Sequence, residues 1–332
     1  MTTALRVAVI GVGHLGQHHA RLLASMPGVD LVGVVDTKPG RAAEIATKYG
    51  TRGFVSTEDV LSSVDAVSVA VPTVSHLEVA RPFLERRIAV LVEKPIAANL
   101  QEADELLACA EAHGALLAAG HTERFNPAVA AALPLVSRPR FIEVHRLGTF
   151  PDRSLDIDVI FDLMIHDLDM LLAAVGSEVE EVEAVGVHVL TPRTDIANAR
   201  LRFTDGCIAN VTASRISRDR VRKARFFQHD SYVSIDYAAQ EVEVYRLGHA
   251  NGRPAIQGGR LDIASEEPLQ RELADFIDAV RTGRPPGVDG RAGRRALALA
   301  TRVAEAMEST RDTGVGHERV TDGRRHEGHE KL

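Results

Sequence analysis

Two cysteines in 332 residues, no tryptophan and 4% aromatics leave little material for a disulfide framework or an aromatic nucleic-acid platform. Cys109 falls on a predicted helix and Cys207 on a predicted strand, without metal-ligand spacing. Both read as small buried apolar side chains of a reducing compartment. Positive charge is short as well: 39 Lys and Arg against 46 Asp and Glu give a net −7, the wrong sign for a general nucleic-acid or anionic-membrane surface. No apolar run approaches the roughly 20 residues of a membrane span. The opening MTTALRVAVIGVG ends in glycines rather than in a signal-peptide cleavage pattern. A cytoplasmic protein that binds neither nucleic acid nor membrane is the simplest expectation.

The chain is rich in alternation instead. Between residue 5 and about residue 120, the runs LRVAVI, LVGVV, AVSVAV, AVLV and LLAA are short and aliphatic, as strands buried on both faces of a parallel sheet require. Helical patterns separate them, and Asn99 with Glu102 makes a capping box for one of these. The expected fold class is α/β: a doubly wound N-terminal domain over residues 1–122. After HTERFNP the texture changes to one helix over about 157–175, then five strand-like segments with a TDG turn at 204–206, then helices near 268–281 and 290–310. That pattern predicts an α+β domain over 123–310, built on a large, mostly antiparallel open sheet, with its last helices free to pack back on the first domain. Residues 311–332 are polar and glycine-rich, and predict a frayed tail whose histidines are solvated rather than metal-bound.

Within VAVIGVGHLGQHHA, Gly11, Gly13 and Gly16 form G-x-G-x-x-G directly after a strand and before a helix. Such a turn lets backbone approach a pyrophosphate at the helix N-terminus, with His14 and Leu15 completing the loop. Asp36 ends the next strand 20 residues after Gly16. An acid there accepts from ribose hydroxyls and repels a 2′-phosphate, so NAD is expected over NADP, although Lys38 stands close by. As an alternative, Asp36 caps the following helix.

VLVEKP closes a later strand in Glu93-Lys94-Pro95, where the carboxyl ends of the strands face the ligand crevice. Pro95 favours an extended Lys94 and permits a cis peptide bond. The glycine turn, Asp36, AVPTVSH at 70–76 and EKP together resemble the glucose–fructose oxidoreductase, inositol dehydrogenase and rhizopine-catabolism family of NAD(P)-dependent oxidoreductases. The resemblance runs over nearly the whole chain, with Thr73 where the family often has Asn. It implies a Rossmann domain followed by an open-sheet domain, a catalytic Lys94, and Pro72, Thr73, His76 and Glu93 beside the nicotinamide half of the site.

FDLMIHDLDMLL (161–172) sets four ionisable residues into an apolar helix. Asp162 and His166 are four apart and share a face, with Asp158 a turn back. The resemblance maps an Asp-x-x-x-His pair that faces the nicotinamide onto Asp162 and His166. His166 is then a candidate proton acceptor because imidazole titrates near neutrality, Lys94 stabilises an alkoxide, and Asp162 orients substrate or holds the imidazole. Sequence does not choose between Lys94 and His166 as acceptor. Two side chains on one helix face fall short of a metal site. Asp167 and Asp169 point elsewhere and read as solvated or cap-type acids.

In GHTERFNPAV, Asn126 and Pro127 form an N-cap and first-turn pair, while Arg124 beside the crevice suits an anionic substrate. This stretch and DLMIHDLD resemble the branch of the family that oxidises the 3-hydroxyl of UDP-N-acetylglucosamine for a partner aminotransferase, in lipid A or surface-polysaccharide synthesis. Arg124, Asn126, Asp162 and His166 are the substrate candidates. Arg215, Arg218, Arg220, Arg222, Lys223 and Arg225 suit a diphosphate, a solvated hairpin or a subunit contact. The alternatives are a dehydrogenase of a free polyol or monosaccharide and a non-catalytic NAD-binding regulator. An open sheet presents a face to a partner, so a homodimer or homotetramer is expected.

Overall fold

The computed structural model describes residues 4–150, 157–250 and 253–312. Its first sheet joins β1 (Leu5–Ile10), β2 (Val29–Val35), β3 (Arg52–Phe54), β4 (Ala66–Val69), β5 (Ala89–Glu93) and β6 (Leu117–Gly120), all parallel, in the order β3-β2-β1-β4-β5-β6. That is the doubly wound order, and it puts a topological switch point between β1 and β4. Helices α1 (Gly16–Ser25), α2 (Pro39–Tyr49), α3 (His76–Leu84) and α4 (Leu100–His113) cover the sheet. Burial on both faces explains the unbroken aliphatic runs: Val7, Ala8, Val9, Val67, Val90 and Val92 are all fully buried. Asn99 caps α4 by accepting from the Glu102 amide (2.9 Å), and Glu102 returns to the Ala98 amide. The three-residue β3 has too little periodicity to be read in sequence.

The second sheet has eight strands: β7 (Phe141–Leu147), β8 (Val179–Val187), β9 (Ile196–Phe203), β10 (Ile208–Ser214), β11 (Val221–Phe227), β12 (Ser231–Asp236), β13 (Glu241–Ala250) and β14 (Arg253–Arg260). Their order is β14-β13-β12-β11-β7-β10-β9-β8, antiparallel except between β7 and β10. Three of them differ from the five expected segments. β7 and β14 carry charges and glycines that dilute the pattern, and RFFQHDSYVSIDY folds into two strands rather than one. Gly206 takes φ +87° in the expected turn between β9 and β10.

One face of this sheet packs on α5 (Pro127–Ala132), α6 (Ile165–Val175) and the last helix. α7 (Pro268–Thr282) returns to the first sheet and seats Leu273, Phe276 and Ile277 there. α8 (Gly290–Asp312) joins the two layers, with Ala300 and Val303 in the second core and Leu297 in the first. The expected tail beyond Asp312 lies outside the described residues. No helix among the described residues is long and apolar enough to cross a membrane.

Candidate active site

The glycine turn is built by close packing. Gly11 follows β1 with φ +83°, and a Cβ there would meet the Ala70 carbonyl at 2.8 Å. A Cβ on Gly16 would lie 1.8 Å from the Gly11 carbonyl oxygen, so α1 can start this close to the strand only without a side chain. Gly13 is different: nothing lies within 4 Å of its would-be Cβ, which leaves room for a ligand to approach the backbone. The Asp36 carboxylate receives the amides of Val12 (3.1 Å) and Lys38 (3.0 Å), which fixes the acid at the edge of that turn. Lys38, not Asp36, occupies the N-cap of α2, without a side-chain cap bond. Arg41 fastens the turn from outside through the carbonyls of Val12 (2.7 Å) and Gly13 (3.3 Å). Open backbone beside a fixed acid fits the pyrophosphate and ribose of NAD.

At the end of β5, Glu93 is buried and bonds His19 Nε2 (3.0 Å), while His19 Nδ1 meets Ser68 Oγ (2.7 Å). A carboxylate only accepts, so Nε2 carries a proton and donates it to this bond. Burial alone would raise the Glu93 carboxyl, but His19 and Lys94 outweigh it and hold the group below its ordinary range. Lys94, next along, precedes Pro95 through a cis peptide bond. Its Nζ donates to the Asp162 carbonyl (2.6 Å) and carboxylate (3.3 Å). Pro72 and Thr73 lead into α3. His76 is buried, with its ring nitrogens at the carbonyls of Pro95 (2.9 Å) and Val71 (3.0 Å). It ties the 72–76 segment to the EKP turn, and burial depresses its pKa.

Sequence predicts one α-helix over about 157–175. Instead a π turn at Ile160–Met164 precedes α6. Such turns depart from the i→i−4 ladder and cluster at functional sites. Here the Asp162 carbonyl is the one that receives Lys94. Asp158 is not on the reacting face: its carboxylate accepts the Thr194 amide (2.8 Å) and anchors the helix start. His166 Nδ1 is buried without a hydrogen-bonding partner among the described residues. Burial, Lys94 and Arg146 together push this imidazole well below its ordinary pKa, so it is neutral at pH 7 and competent as a base. His121 packs edge-on against it, with ring centroids 6.3 Å apart.

A cavity of about 800 Å³ connects these pieces. Leu15 of the glycine turn, Lys94, Asp162 and His166 line one part of it, and Arg146, Arg215, Arg220 and Arg222 line another. Arg124 is not among its lining residues, because its guanidinium points to the buried Asp169 (3.4 Å). Asn126 is also spent structurally: it caps α5 at the Ala128 amide (3.0 Å) and donates to the Tyr237 carbonyl (3.0 Å). Asp167 and Asp169 are not solvated. Asp167 is fully buried and takes Arg146 Nε (2.7 Å) and Nη2 (2.8 Å) in a two-pronged ion pair. Burial raises the Asp167 carboxyl, yet the guanidinium holds the pair ionised at neutral pH.

Sequence reasoning passed over His19, Thr122, His121, Arg146 and Glu272. The signal for Arg146 was the alternation of β7, where Ile142, Val144 and Arg146 are buried in turn. Glu272 comes from α7, 150 residues beyond Thr122, whose hydroxyl donates to it (2.9 Å). No local pattern could have paired them.

Two family descriptions match the chain: "Oxidoreductase family, NAD-binding Rossmann fold" over residues 5–121 and "GFO/IDH/MocA C-terminal domain" over 138–230. The UDP-N-acetylglucosamine 3-dehydrogenase of Acidithiobacillus ferrooxidans is 40% identical over 308 residues, 92% of this chain and 98% of its own. A solved structure of that enzyme superposes with TM-score 0.87 over 93% of this chain and 99% of that one. The scyllo-inositol 2-dehydrogenase (NAD(+)) of Bacillus subtilis is 27% identical over 86% of this chain and 89% of its own. Levoglucosan dehydrogenase, solved with NADH and levoglucosan, shares the fold at 19% identity and TM-score 0.81, over 92% of this chain and 97% of that one. With its glycine turn, fixed acid and matching second sheet, the chain belongs to the GFO/IDH/MocA oxidoreductase family and carries that family's NAD-binding Rossmann domain.

Proposed function

We propose that the protein oxidises the 3-hydroxyl of UDP-N-acetylglucosamine to a ketone. One observation carries this reading: Lys94, Asp162 and His166 meet in a cavity shared with a wall of arginines, in a chain 40% identical to an enzyme of that name along nearly its full length. When bound, NAD supplies the hydride acceptor, and Gly11, Gly13, Gly16 and Asp36 would hold it. Neutral His166 removes the hydroxyl proton. Lys94, fixed by two of its bonds to Asp162, keeps a third N–H for the substrate oxygen and stabilises the alkoxide as charge develops. Asp162 positions Lys94 and orients the sugar.

The 3-ketone suits an aminotransferase that installs an amine, for a diamino sugar of lipid A or a surface polysaccharide. The open face of the second sheet supports self-association into a dimer or tetramer. Phe141, Phe227, Tyr232 and Tyr245 stack across four adjacent strands, with ring centroids 5.2–6.3 Å apart, beside exposed Leu247 and Ile256. We place the domain boundary near residue 122 and the enzyme in the cytoplasm. Comparing NAD reduction on UDP-N-acetylglucosamine, free N-acetylglucosamine and scyllo-inositol tests the substrate. Turnover on the nucleotide sugar alone is expected, whereas preference for a free sugar or polyol would overturn the reading.

A further inference from the structure

Four arginines line the cavity, and they are not equivalent. Arg146 is neutralised by Asp167 and approached by Glu123 (3.3 Å). Arg215, buried at 2% exposure, faces Asp195 (3.8 Å) and donates to the Ile157 and Thr194 carbonyls, which pins the start of the active-site helix. Lys94 is likewise matched by Asp162. Arg220 and Arg222 make no ion pair or side-chain hydrogen bond among the described residues, and both reach the same cavity. Desolvation and the neighbouring Arg146 charge depress the Arg222 pKa, outweighing the opposing pull of Glu123 and Asp167, neither of which bonds it.

Arg222 stands opposite Arg146 across the β7–β11 ladder, so it lies one strand further out than the arginine bonded to Asp167, the neighbour of His166. Arg220 directly precedes β11 and is two residues from Arg222, roughly 6–7 Å along the chain, and the two line the same cavity. Two cations at that spacing match two linked phosphates better than a single carboxylate, and guanidinium favours forked contacts to such oxygens.

We infer that Arg220 and Arg222 are the diphosphate clamp of this site, while Arg146 and Arg215 are structural. This rests on the nucleotide-sugar reading above, and it moves the anion-binding role from Arg124 to β11. Each clamp residue makes charge-assisted bonds whose loss is expected to weaken binding by about 10- to 100-fold.

The test is calorimetric titration of the NAD-loaded protein with UDP and, separately, with uridine. Arg220→Ala and Arg222→Ala should each weaken UDP by about that factor and leave uridine unchanged. Arg225→Ala, on the opposite sheet face beside Glu143, should alter neither. Melting curves confirm that each variant is folded. If the wild type binds UDP and the Arg220→Ala/Arg222→Ala protein binds it within about threefold, the clamp assignment is wrong while the substrate reading stands. If the wild type binds neither UDP nor UDP-N-acetylglucosamine, the substrate reading fails and takes the clamp with it.

Discussion

Asp167→Ala isolates the strongest internal electrostatic contact of the active-site helix. It deletes two bonds of 2.7 and 2.8 Å to Arg146, a residue only 4% exposed. Removing one partner of a buried pair leaves the other charge without compensation and costs about 3–5 kcal/mol. Glu123 at 3.3 Å and the Tyr237 ring, 5.4 Å from the guanidinium carbon, remain as partial substitutes. The loss should therefore sit near the low end, about 3 kcal/mol, or roughly a hundredfold in the folding equilibrium. At roughly 2–4 °C per kcal/mol for a unit of this size, the second domain should melt about 6–12 °C lower. Asp167→Ala/Arg146→Met removes both charges and should recover most of that loss, because no buried charge is left unmatched. Chemical denaturation followed by circular dichroism measures both variants. A single variant within about 1 kcal/mol of wild type, or a double variant no better than the single, would refute the view that pairing rather than packing holds this helix to β7.

Other outcomes follow from the same geometry. His166 acts as neutral imidazole and its pKa is depressed, so the active form persists as pH falls below the ordinary histidine value. The acid limb of kcat/KM should have its midpoint below about 6.5, and a midpoint above that value would exclude His166 as the base. Depressed pKa values at His76, His121 and His166 also mean that the unfolded chain binds more protons below about pH 6.5. Stability should therefore fall on acidification, by at most about 1.4 kcal/mol per pH unit for each histidine; unfolding midpoints unchanged between neutrality and pH 5 would contradict this. Gly13→Ala adds a methyl group to open space, so the apo melting temperature should hold while NAD affinity drops by about tenfold or more; equal NAD affinity by titration would show that the ligand does not approach there.

Much of this site was legible because its parts are local. G-x-G-x-x-G has meaning within a few residues: Gly16 is required by a contact to Gly11, five positions away. Asp36 and EKP sit at strand ends that aliphatic runs announce, and Asp162 and His166 share one helix. What stayed hidden depends on long-range pairing. Arg124 reads as a substrate ligand because it stands beside the crevice, yet its guanidinium turns to Asp169, 45 residues on. Asp167 reads as solvated because its partner Arg146, a charged residue in the buried phase of β7, lies 21 residues earlier. The π turn is invisible to a 3.6-residue period. Residues 215–225 read as one basic cluster, and only the fold divides it into buried Arg215, cavity-facing Arg220 and Arg222, and outward Lys223 and Arg225 paired with Asp236 and Glu143.

Oxidation of a nucleotide sugar at the Asp162–His166 helix face is the proposed reaction. Its most direct test is mass spectrometry of UDP-N-acetylglucosamine after incubation with the purified protein, NAD and 2-oxoglutarate as a sink for reducing equivalents. The expected product is lighter by two hydrogens, with the ketone at C3 by NMR, and does not form with His166→Ala. An unchanged nucleotide sugar, with NAD binding shown in the same preparation, would contradict it.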